Sequence, residues 1–257
     1  MNKLHIPPLD EQAAKTALEH QKILAKPPLA LGKLEPVAIQ IAAMTGNPAP
    51  RLKDKAVVLF AADHHIADHG LSLTSTDVTY IQTRNFLQGG GTINAFTRNA
   101  GARLSVVDVG VNYDFGDLPG LVKSKVMHGA SDFSRGPAMT REQALECLQV
   151  GIDMAREEKA RGLDIVAAGE MGIGNTTPSS AIVAVLTGTP VETVTGRGSG
   201  VKGEVIRKKI ELIEQGIALN KPDPSDAIDV LAKVGGPEIG AMAGLMLGAA
   251  SLRVPIV

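Results

Sequence analysis

Tryptophan is absent from this sequence, and aromatic residues make up only 3% of it. Because 28 residues are glycine and 44% are hydrophobic, the core has to be built from small aliphatic side chains. The single cysteine, Cys147, excludes a disulfide framework and favours a reducing compartment. No apolar run reaches the roughly 18 residues of a membrane span, and the N-terminus has no signal-peptide apolar region. The sequence therefore predicts a soluble, cytoplasmic protein.

An excess of charge of one sign is also absent. Lysine and arginine total 26 and aspartate and glutamate total 27, which gives a formal net charge of −1. A nucleic-acid-binding protein would carry a basic excess, so nucleic acid is not an expected partner. A membrane is not expected either, because the sequence has no apolar run long enough to span one. The 257 residues suit one large α/β domain or one such domain with a small appendage.

The first fifty residues are predicted to be helical. Asp10 to Ala25 is alanine-rich and amphipathic, and two prolines follow it. A second helix is indicated by apolar residues that share one face, namely Leu34, Val37, Ala38, Ile41 and Ala42. We expect a small helical subdomain over residues 1–50, acting as a cap or an oligomer arm, ahead of an α/β domain over residues 51–257.

From residue 56 onward, short apolar runs alternate with helical patterns. Three runs are typical of buried parallel strands: Ala56–Ala62, Leu104–Val109 and Leu163–Ala168. Two further strands are predicted, at Leu121–His128 and Arg253–Val257. Long helices are predicted over 140–161, 204–219, 227–234 and 238–252. This alternation indicates a Rossmann-like α/β fold, a doubly wound parallel sheet with helices on both faces.

The most informative stretch is Gly169–Ser180, which lies between the third of these strands and the apolar helical run Ala181–Leu186. It contains three glycines, one carboxylate (Glu170), one amide and four hydroxyl groups. Glycine lets the backbone approach a ligand closely, and free N–H groups at a helix start attract anions. We interpret the stretch as a strand-to-helix turn for a phosphate-bearing ligand, with the helix starting near Pro178. An ordinary glycine-rich turn is the alternative.

A second polar cluster follows the first strand. Three histidines and two aspartates occur within seven residues: Asp63, His64, His65, Asp68 and His69. His65 and His69 would share a face of an α-helix, but a metal site of this kind also needs a third ligand and outer-shell partners. Ligands of open α/β sheets gather at the carboxyl ends of the strands. Asp63 and His64 are therefore site candidates, and no metal is predicted.

Two further segments are rich in glycine. Thr195–Gly200 places Arg197 among glycines, where it can contact a phosphate in bidentate fashion, and Lys208 or Lys209 of the next helix adds a point charge. At least one of these two lysines is expected on a solvated helix face. An NAD-dependent dehydrogenase is a further alternative, but Gly89–Asn94 lacks the last glycine of the dinucleotide-binding fingerprint that it would need.

Six stretches together carry a family resemblance: Ala61–His64, Val107–Gly110, Gly136–Met139, Gly169–Pro178, Thr195–Gly200 and Asp229–Gly236. The sequence resembles the nicotinate-nucleotide–dimethylbenzimidazole phosphoribosyltransferases of cobalamin biosynthesis over essentially its whole length. The resemblance implies transfer of phosphoribose from nicotinate mononucleotide to a ring nitrogen of 5,6-dimethylbenzimidazole. The products would be α-ribazole 5′-phosphate and nicotinate, with inversion at the anomeric carbon. A homodimer and no metal or organic cofactor are also implied.

The resemblance assigns residues to three parts of the site. Those that line a pocket for the base are Thr74, Gln82 and Met171. Those beside the phosphoribosyl group are Asn175, Thr176 and Thr177. Those that bind its phosphate are Gly196, Arg197, Gly198 and Lys209. Glu170 is expected to give polar support and to be the carboxylate that could share the role of general base, because the attacking ring nitrogen must lose a proton.

The sequence departs from the family at its catalytic base. That base is a glutamate in an Arg-Leu-Gly-Glu-Gly motif, and no such motif occurs in residues 1–257. The family's Asp-Gly-Phe segment after the Pro-Ile-Val strand is absent, and Val201–Gly203 stands where the family has an acidic pair. We expect the α/β domain to be C-terminally incomplete. Three explanations are open: the chain is a fragment, a partner chain supplies the rest, or the chain is a defective homologue. A nucleotide- or phosphate-binding module without turnover is thus the alternative to an enzyme.

Overall fold

Four strands form one parallel sheet in the computed structural model, which describes residues 4–257. The strands are β1 (Lys55–Ala62), β2 (Ala102–Gly110), β3 (Leu121–Lys123) and β4 (Ile165–Met171). Their order across the sheet is β3-β2-β1-β4, and every pairing is parallel. The direction of winding therefore reverses between β1 and β4, which confirms the predicted doubly wound, Rossmann-like sheet.

Helices cover both faces of this sheet. Within residues 4–257 they are α1 (Glu11–Ile23), α2 (Leu34–Thr45), α3 (Asp77–Leu87), α4 (Thr92–Ala100), α5 (Arg141–Ala160), α6 (Thr176–Thr187), α7 (Val191–Val194), α8 (Glu204–Asn220), α9 (Ala227–Val234) and α10 (Pro237–Ser251). A 3-10 helix, His65–His69, follows β1. None of the described helices is long and apolar enough to cross a membrane.

Strand β1 lies at the centre and is buried on both sides. Phe60 and its alternate neighbours pack with α5 and α10, whereas Leu59 and Ala61 face the side covered by α3 and α4. Two apolar faces explain why this strand shows no alternation of polar and apolar residues. Helices α5 and α10 approach so closely that a Cβ at Gly151 would lie 1.9 Å from the carbonyl oxygen of Ala241.

The N-terminal helices pack against each other. Asp10 caps α1 by accepting a hydrogen bond from the Ala13 amide (2.8 Å), and its own amide donates to the carbonyl of Ala43 beyond the middle of α2 (2.9 Å). The cap carboxylate satisfies a free N–H group of the first turn. Helix α2 ends at Gly46, which adopts a left-handed conformation (φ 68°).

The turn after β4 is shorter than the sequence predicts. Gly169, Glu170 and Met171 continue the pairing with β1, opposite Leu59, Phe60 and Ala61, so they belong to the strand. Helix α6 begins at Thr176 rather than near Pro178. The turn is thus Gly172–Asn175, and Glu170 projects from a strand, where its direction is fixed by the pleat.

Two predicted strands are mostly wrong. Strand β3 stops at Lys123 instead of His128, although the Ser124 and Val126 amides still donate to the Asp108 and Val109 carbonyls of β2 (3.1 and 3.0 Å). At Arg253–Val257 only one bridge forms, parallel, between Ile256 and Val166 of β4. Pro255 has no N–H group to continue a ladder. Helix α3, which no sequence pattern predicted, flanks the site described below.

Candidate active site

Polar side chains collect at the carboxyl ends of β1 and β4. Asp63 and His64 follow β1, Glu170 lies near the end of β4, and the N-terminus of α6 follows the turn after β4. Winding reverses between these two strands, and a crevice opens outside their carboxyl ends at such a point. The geometry therefore brings three of the sequence-predicted segments to one end of the sheet.

Glu170 is held by the residue that precedes α6. The side-chain amide of Asn175 donates a hydrogen bond to Oε2 of Glu170. Although the Glu170 side chain is accessible to solvent, the surrounding protein raises its pKa by desolvation, and the Asn175 hydrogen bond acts in the opposite direction. Met171 points to the other face of the sheet and packs against the cluster that contains Leu59 and Ala61.

A buried lysine lies at the start of α6. Lys209 of α8 is only 1% exposed, and its Nζ donates to the hydroxyl of Thr176 at 2.7 Å. Among residues 4–257 it has no carboxylate partner, and desolvation lowers its pKa to about 8. Gly198 (φ 52°) lies against this pair, since a Cβ there would be 2.8 Å from the Thr176 hydroxyl and 3.7 Å from Nζ. A cation, a hydroxyl group and a helix N-terminus thus converge, as in anion sites.

The other predicted phosphate and ribosyl residues surround this point. Thr177 is fully buried, and its hydroxyl oxygen has no hydrogen-bond partner among the described residues. Gly196 and Arg197 are exposed on the loop that carries Gly198, and the Arg197 side chain forms no ion pair within residues 4–257. Lys208, beside Lys209, is exposed, as expected for one of the two lysines.

Asp63 and His64 lie in different surroundings. The Asp63 carboxylate accepts a hydrogen bond from the Asn112 amide at 2.8 Å. His64 is buried, and its Nε2 lies 2.8 Å from Oε1 of Glu238, at the start of α10. Burial by itself lowers the pKa of His64, but the Glu238 carboxylate outweighs it, so the pKa is raised. Sequence reasoning missed Glu238, although it is the one acidic residue of a helix otherwise made of small and apolar side chains.

The metal hypothesis receives no support from the segment after β1. His65–His69 is a 3-10 helix, in which residues four apart point about 120° apart, so the predicted common face of His65 and His69 is wrong. His69 bonds the Asp132 carboxylate at 2.8 Å, and His65 lies 3.2 Å from the His128 carbonyl. Within residues 4–257 no group of three or more His, Cys, Asp or Glu side chains is arranged to hold a metal ion.

Two predicted base-pocket residues lie beside the site without bonding to it. Thr74 is exposed on the loop before α3, and Gln82 is half-buried on α3, where its Oε1 accepts from Asn85 at 3.0 Å. In the described part of the chain neither is hydrogen-bonded to another predicted site residue. The loop of Thr74 nevertheless reaches the glycine-rich loop, because the Ser72 and Ser199 hydroxyls are 3.2 Å apart.

Known proteins with similar sequences and structures define the class of this protein. The family model described as Phosphoribosyltransferase matches residues 6–257. A nicotinate-nucleotide–dimethylbenzimidazole phosphoribosyltransferase of Geobacter sulfurreducens is 50% identical over 250 residues, which cover 97% of this chain and 71% of the relative. A protein of the same name from a Roseiflexus species is 51% identical over 252 residues, covering 98% and 71%. The crystal structure of CobT from Thermus thermophilus has a TM-score of 0.91 at 41% identity, covering 95% of this chain and 73% of that one.

A Rossmann-like sheet with a buried lysine and a helix N-terminus beside its switch point, together with the family match, defines a phosphoribosyltransferase. The chain belongs to the family of the nicotinate-nucleotide–dimethylbenzimidazole phosphoribosyltransferases. It spans about 71% of the length of these two relatives.

Proposed function

We propose that this chain transfers a phosphoribosyl group from nicotinate mononucleotide to 5,6-dimethylbenzimidazole, giving α-ribazole 5′-phosphate and nicotinate for cobalamin synthesis. The family match supports this activity. The observation that carries it at this site is Lys209, a buried cation without a carboxylate partner within residues 4–257, at the start of α6. A buried unpaired charge is costly, and a phosphate group would compensate it.

The donor phosphate is proposed to lie at the N-terminus of α6. There it would accept hydrogen bonds from Lys209 and Thr176 and from free N–H groups of the first helical turn. Gly196 and Gly198 allow the neighbouring loop to approach it, and Arg197 adds a second cation from the same loop. Asn175 and Thr177, the latter with its unpartnered hydroxyl, flank the phosphoribosyl group.

The transfer itself needs a nucleophile, a leaving group and a proton acceptor. A ring nitrogen of the base attacks the anomeric carbon while the bond from that carbon to the nicotinate ring nitrogen breaks. The bonding electron pair neutralises the positive charge of the nicotinate ring, which makes nicotinate a good leaving group. The proton on the other ring nitrogen passes to a carboxylate. Glu170 is our candidate within residues 4–257, because desolvation raises its pKa and so strengthens it as a base.

The acceptor base is proposed to bind across the carboxyl end of β4, between Glu170 on one face of the sheet and Met171 on the α3 side. Met171 supplies an apolar contact, and Thr74 and Gln82 supply polar ones at the edge of a flat ring. A ring held there would be close to the carboxylate that receives its proton. A phosphate-binding module without turnover remains the second candidate, because the anion site by itself does not require chemistry.

Product analysis separates these two functions. The 257-residue chain, given nicotinate mononucleotide and dimethylbenzimidazole, should release nicotinate and α-ribazole phosphate, both quantified by chromatography. Glu170→Gln keeps the shape of the side chain and should lower kcat about 10²- to 10⁴-fold, the size of a general-base contribution, with donor binding retained. Glu192→Gln, on exposed α7, is the matched control. Donor binding without any nicotinate release by the unaltered chain would refute the transferase and favour the binding module.

We also infer that the protein acts as a cytoplasmic homodimer. The free, buried Cys147 suits a reducing compartment. Support for a dimer comes from large apolar side chains left exposed around α1 and α2, including Ile23 (79%), Leu29 (74%) and Leu34 (66%). Apolar patches of this kind are typical of protein interfaces, and a second copy of the chain is the proposed occupant.

A further inference from the structure

A cleft beside the proposed phosphate site has a lining that the roles given above leave unexplained. It has a volume of about 150 Å³ and lies between the end of β1 and the start of α3. The polar residues around it include Asp63, Asp68, Thr76, Asp77, Tyr80 and Asn112, and two histidines complete the lining. Three of these residues are carboxylates, and no arginine or lysine of the described chain lines the cleft.

Asp63 is the innermost of the three carboxylates. Its residue is only 6% exposed, and while Oδ2 accepts from the Asn112 amide, Oδ1 is buried and has no hydrogen-bond partner among the described residues. Desolvation raises the pKa of Asp63, and the nearby Thr79 hydroxyl and the Asn112 amide act in the opposite direction. A buried acceptor without a donor is unfavourable, so Oδ1 is suited to a donor supplied by a ligand.

The acidic, polar lining of the cleft indicates which group of the substrates could bind there. Three carboxylates would repel the phosphate of the donor and the carboxylate of its nicotinate ring. A dimethyl-substituted ring gains little in a lining this polar, because apolar ligands favour apolar walls. The ribose ring remains, and its hydroxyl groups are the O–H donors that a buried carboxylate oxygen accepts.

The cleft is also in the right place for that ribose. Gly174, in the turn before α6, packs so closely on Ala67 that a Cβ there would lie 2.6 Å from the Ala67 Cβ. The loop that enters α3 meets the glycine-rich loop at Ser72 and Ser199, whose hydroxyls are 3.2 Å apart. The segments after β1 and β4 are therefore neighbours, as expected for adjacent strands about 4.8 Å apart.

We propose that Asp63 binds a hydroxyl group of the donor ribose through its free Oδ1. This inference rests on the proposed phosphoribosyl transfer and adds to it the residue that distinguishes a ribosyl from a deoxyribosyl donor. The contact orients the sugar between the phosphate at Lys209 and the base beside Met171. It gives Asp63 a binding role that is separate from proton transfer.

The test compares nicotinate mononucleotide with its 2′-deoxy and 3′-deoxy forms. The unaltered chain should use one deoxy donor about 10- to 100-fold less well in kcat/KM, the size of a lost hydrogen bond to a charged group. The quantity to compare is the ratio of kcat/KM for nicotinate mononucleotide to kcat/KM for the poorer deoxy donor. Asp63→Asn keeps an oxygen for the Asn112 amide and places an NH₂ group at Oδ1, so it should reduce this ratio at least about tenfold. Asp117→Asn makes the same chemical change at a fully exposed carboxylate and should leave the ratio unchanged.

Each result has a definite meaning. An unaltered chain that uses all three donors equally well overturns the ribose contact, whatever happens to the folding of Asp63→Asn. An unchanged ratio in a folded Asp63→Asn variant, checked by its thermal unfolding, also overturns it. If the chain binds the donor but transfers nothing, the proposed function is wrong, and the same ratio measured as dissociation constants by equilibrium dialysis decides the ribose contact on its own.

Discussion

Several polar and charged side chains of this site are buried. Lys209 is buried without a carboxylate, the Asp63 carboxylate keeps one oxygen unbonded, and Glu238 supports His64 from the start of α10. The first two of these arrangements are unfavourable because each leaves a buried polar or charged group without a full set of partners. Bound substrate groups can compensate the first two, so they are where binding free energy should be concentrated.

Replacing Lys209 separates binding from stability. Lys209→Met should raise the dissociation constant of nicotinate mononucleotide about 10- to 150-fold, because a charged hydrogen bond is worth about 1.5–3 kcal/mol. The free energy of unfolding should stay the same or rise, since no cation has to be buried. Equilibrium dialysis and urea denaturation measure the two quantities. Lys208→Met, at the exposed neighbour, is the control, and an equal loss of affinity in both variants would contradict the prediction.

The same lysine gives a pH dependence of known sign. The pKa of Lys209 is lowered to about 8, whereas an unfolded lysine titrates near 10.4. Between these values the unfolded state binds more protons, so the free energy of unfolding of the free protein should rise as pH rises. Affinity for the donor phosphate should fall over the same interval, because the cation is lost. Both trends should be absent in Lys209→Met when urea unfolding and dialysis are repeated across pH.

The buried pair of His64 and Glu238 should be essential for stability. Glu238→Ala leaves a buried histidine without its anion and should cost about 3–5 kcal/mol in urea unfolding. Glu238→Gln keeps the shape and should cost less. Because the folded pKa of His64 is raised, the pair's stabilisation is fully present below the unfolded pKa of about 6.5 and is lost as pH rises through the folded pKa. Glu238→Gln should remove this pH dependence, and its persistence would refute the pairing.

Helices α5 and α10 pack with their backbones in direct contact, at glycines where a Cβ would clash with the carbonyl oxygen of the other helix. A Cβ at Gly244 of α10 would lie 2.0 Å from the carbonyl oxygen of Leu148, and Gly151 of α5 faces Ala241 at a similar distance. Glycine lets the two backbones approach closely, and the buried residues of α10 also pack against the sheet. This packing fixes the N-terminus of α10 and thereby the position of Glu238 behind the site.

Adding one methyl group at this contact should separate the helices. Gly151→Ala should lower the free energy of unfolding by about 1–3 kcal/mol or more, because backbone atoms cannot move aside as a side chain can. It should also lower kcat, since α10 carries Glu238. Gly136→Ala is the control, because a Cβ there meets nothing within 4 Å. Urea denaturation measures the free energy of unfolding of both variants. Equal values would contradict the prediction that close contact between α5 and α10 is needed for stability.

For the molecule as a whole, the prediction concerns the apolar surface of the N-terminal segment. Leu34→Glu combined with Val37→Glu on α2 should turn a homodimer into a folded monomer, because both side chains are exposed and apolar in the single chain. Sedimentation velocity measures the assembly state, and circular dichroism confirms that the fold is kept. Leu219→Glu, at an exposed position on α8, should not change assembly. A monomeric unaltered chain would refute the proposed interface.

The fold class and the available chemistry could be predicted from consecutive residues alone. Apolar runs of six or seven residues separated by helical patterns are compatible with a parallel sheet covered on both faces, and β1 and β2 lie where those runs predicted them. Glycines, hydroxyls and a carboxylate at the end of β4 and in the turn that follows it already predicted a phosphate ligand. These are local properties, because the apolar run of a strand and the composition of a turn belong to residues that are neighbours in the chain.

Which of these residues meet depends on the packing of the whole chain. Residue types and spacing could not distinguish Lys209 from Lys208, because burial depends on how α8 packs against α6, and only the family resemblance selected Lys209. They could not pair His64 with Glu238, which lies 174 positions away, nor show that one oxygen of Asp63 lacks a donor. Such features arise from long-range packing, where the identity of a neighbour depends on the tertiary structure rather than on the spacing of residues along the chain.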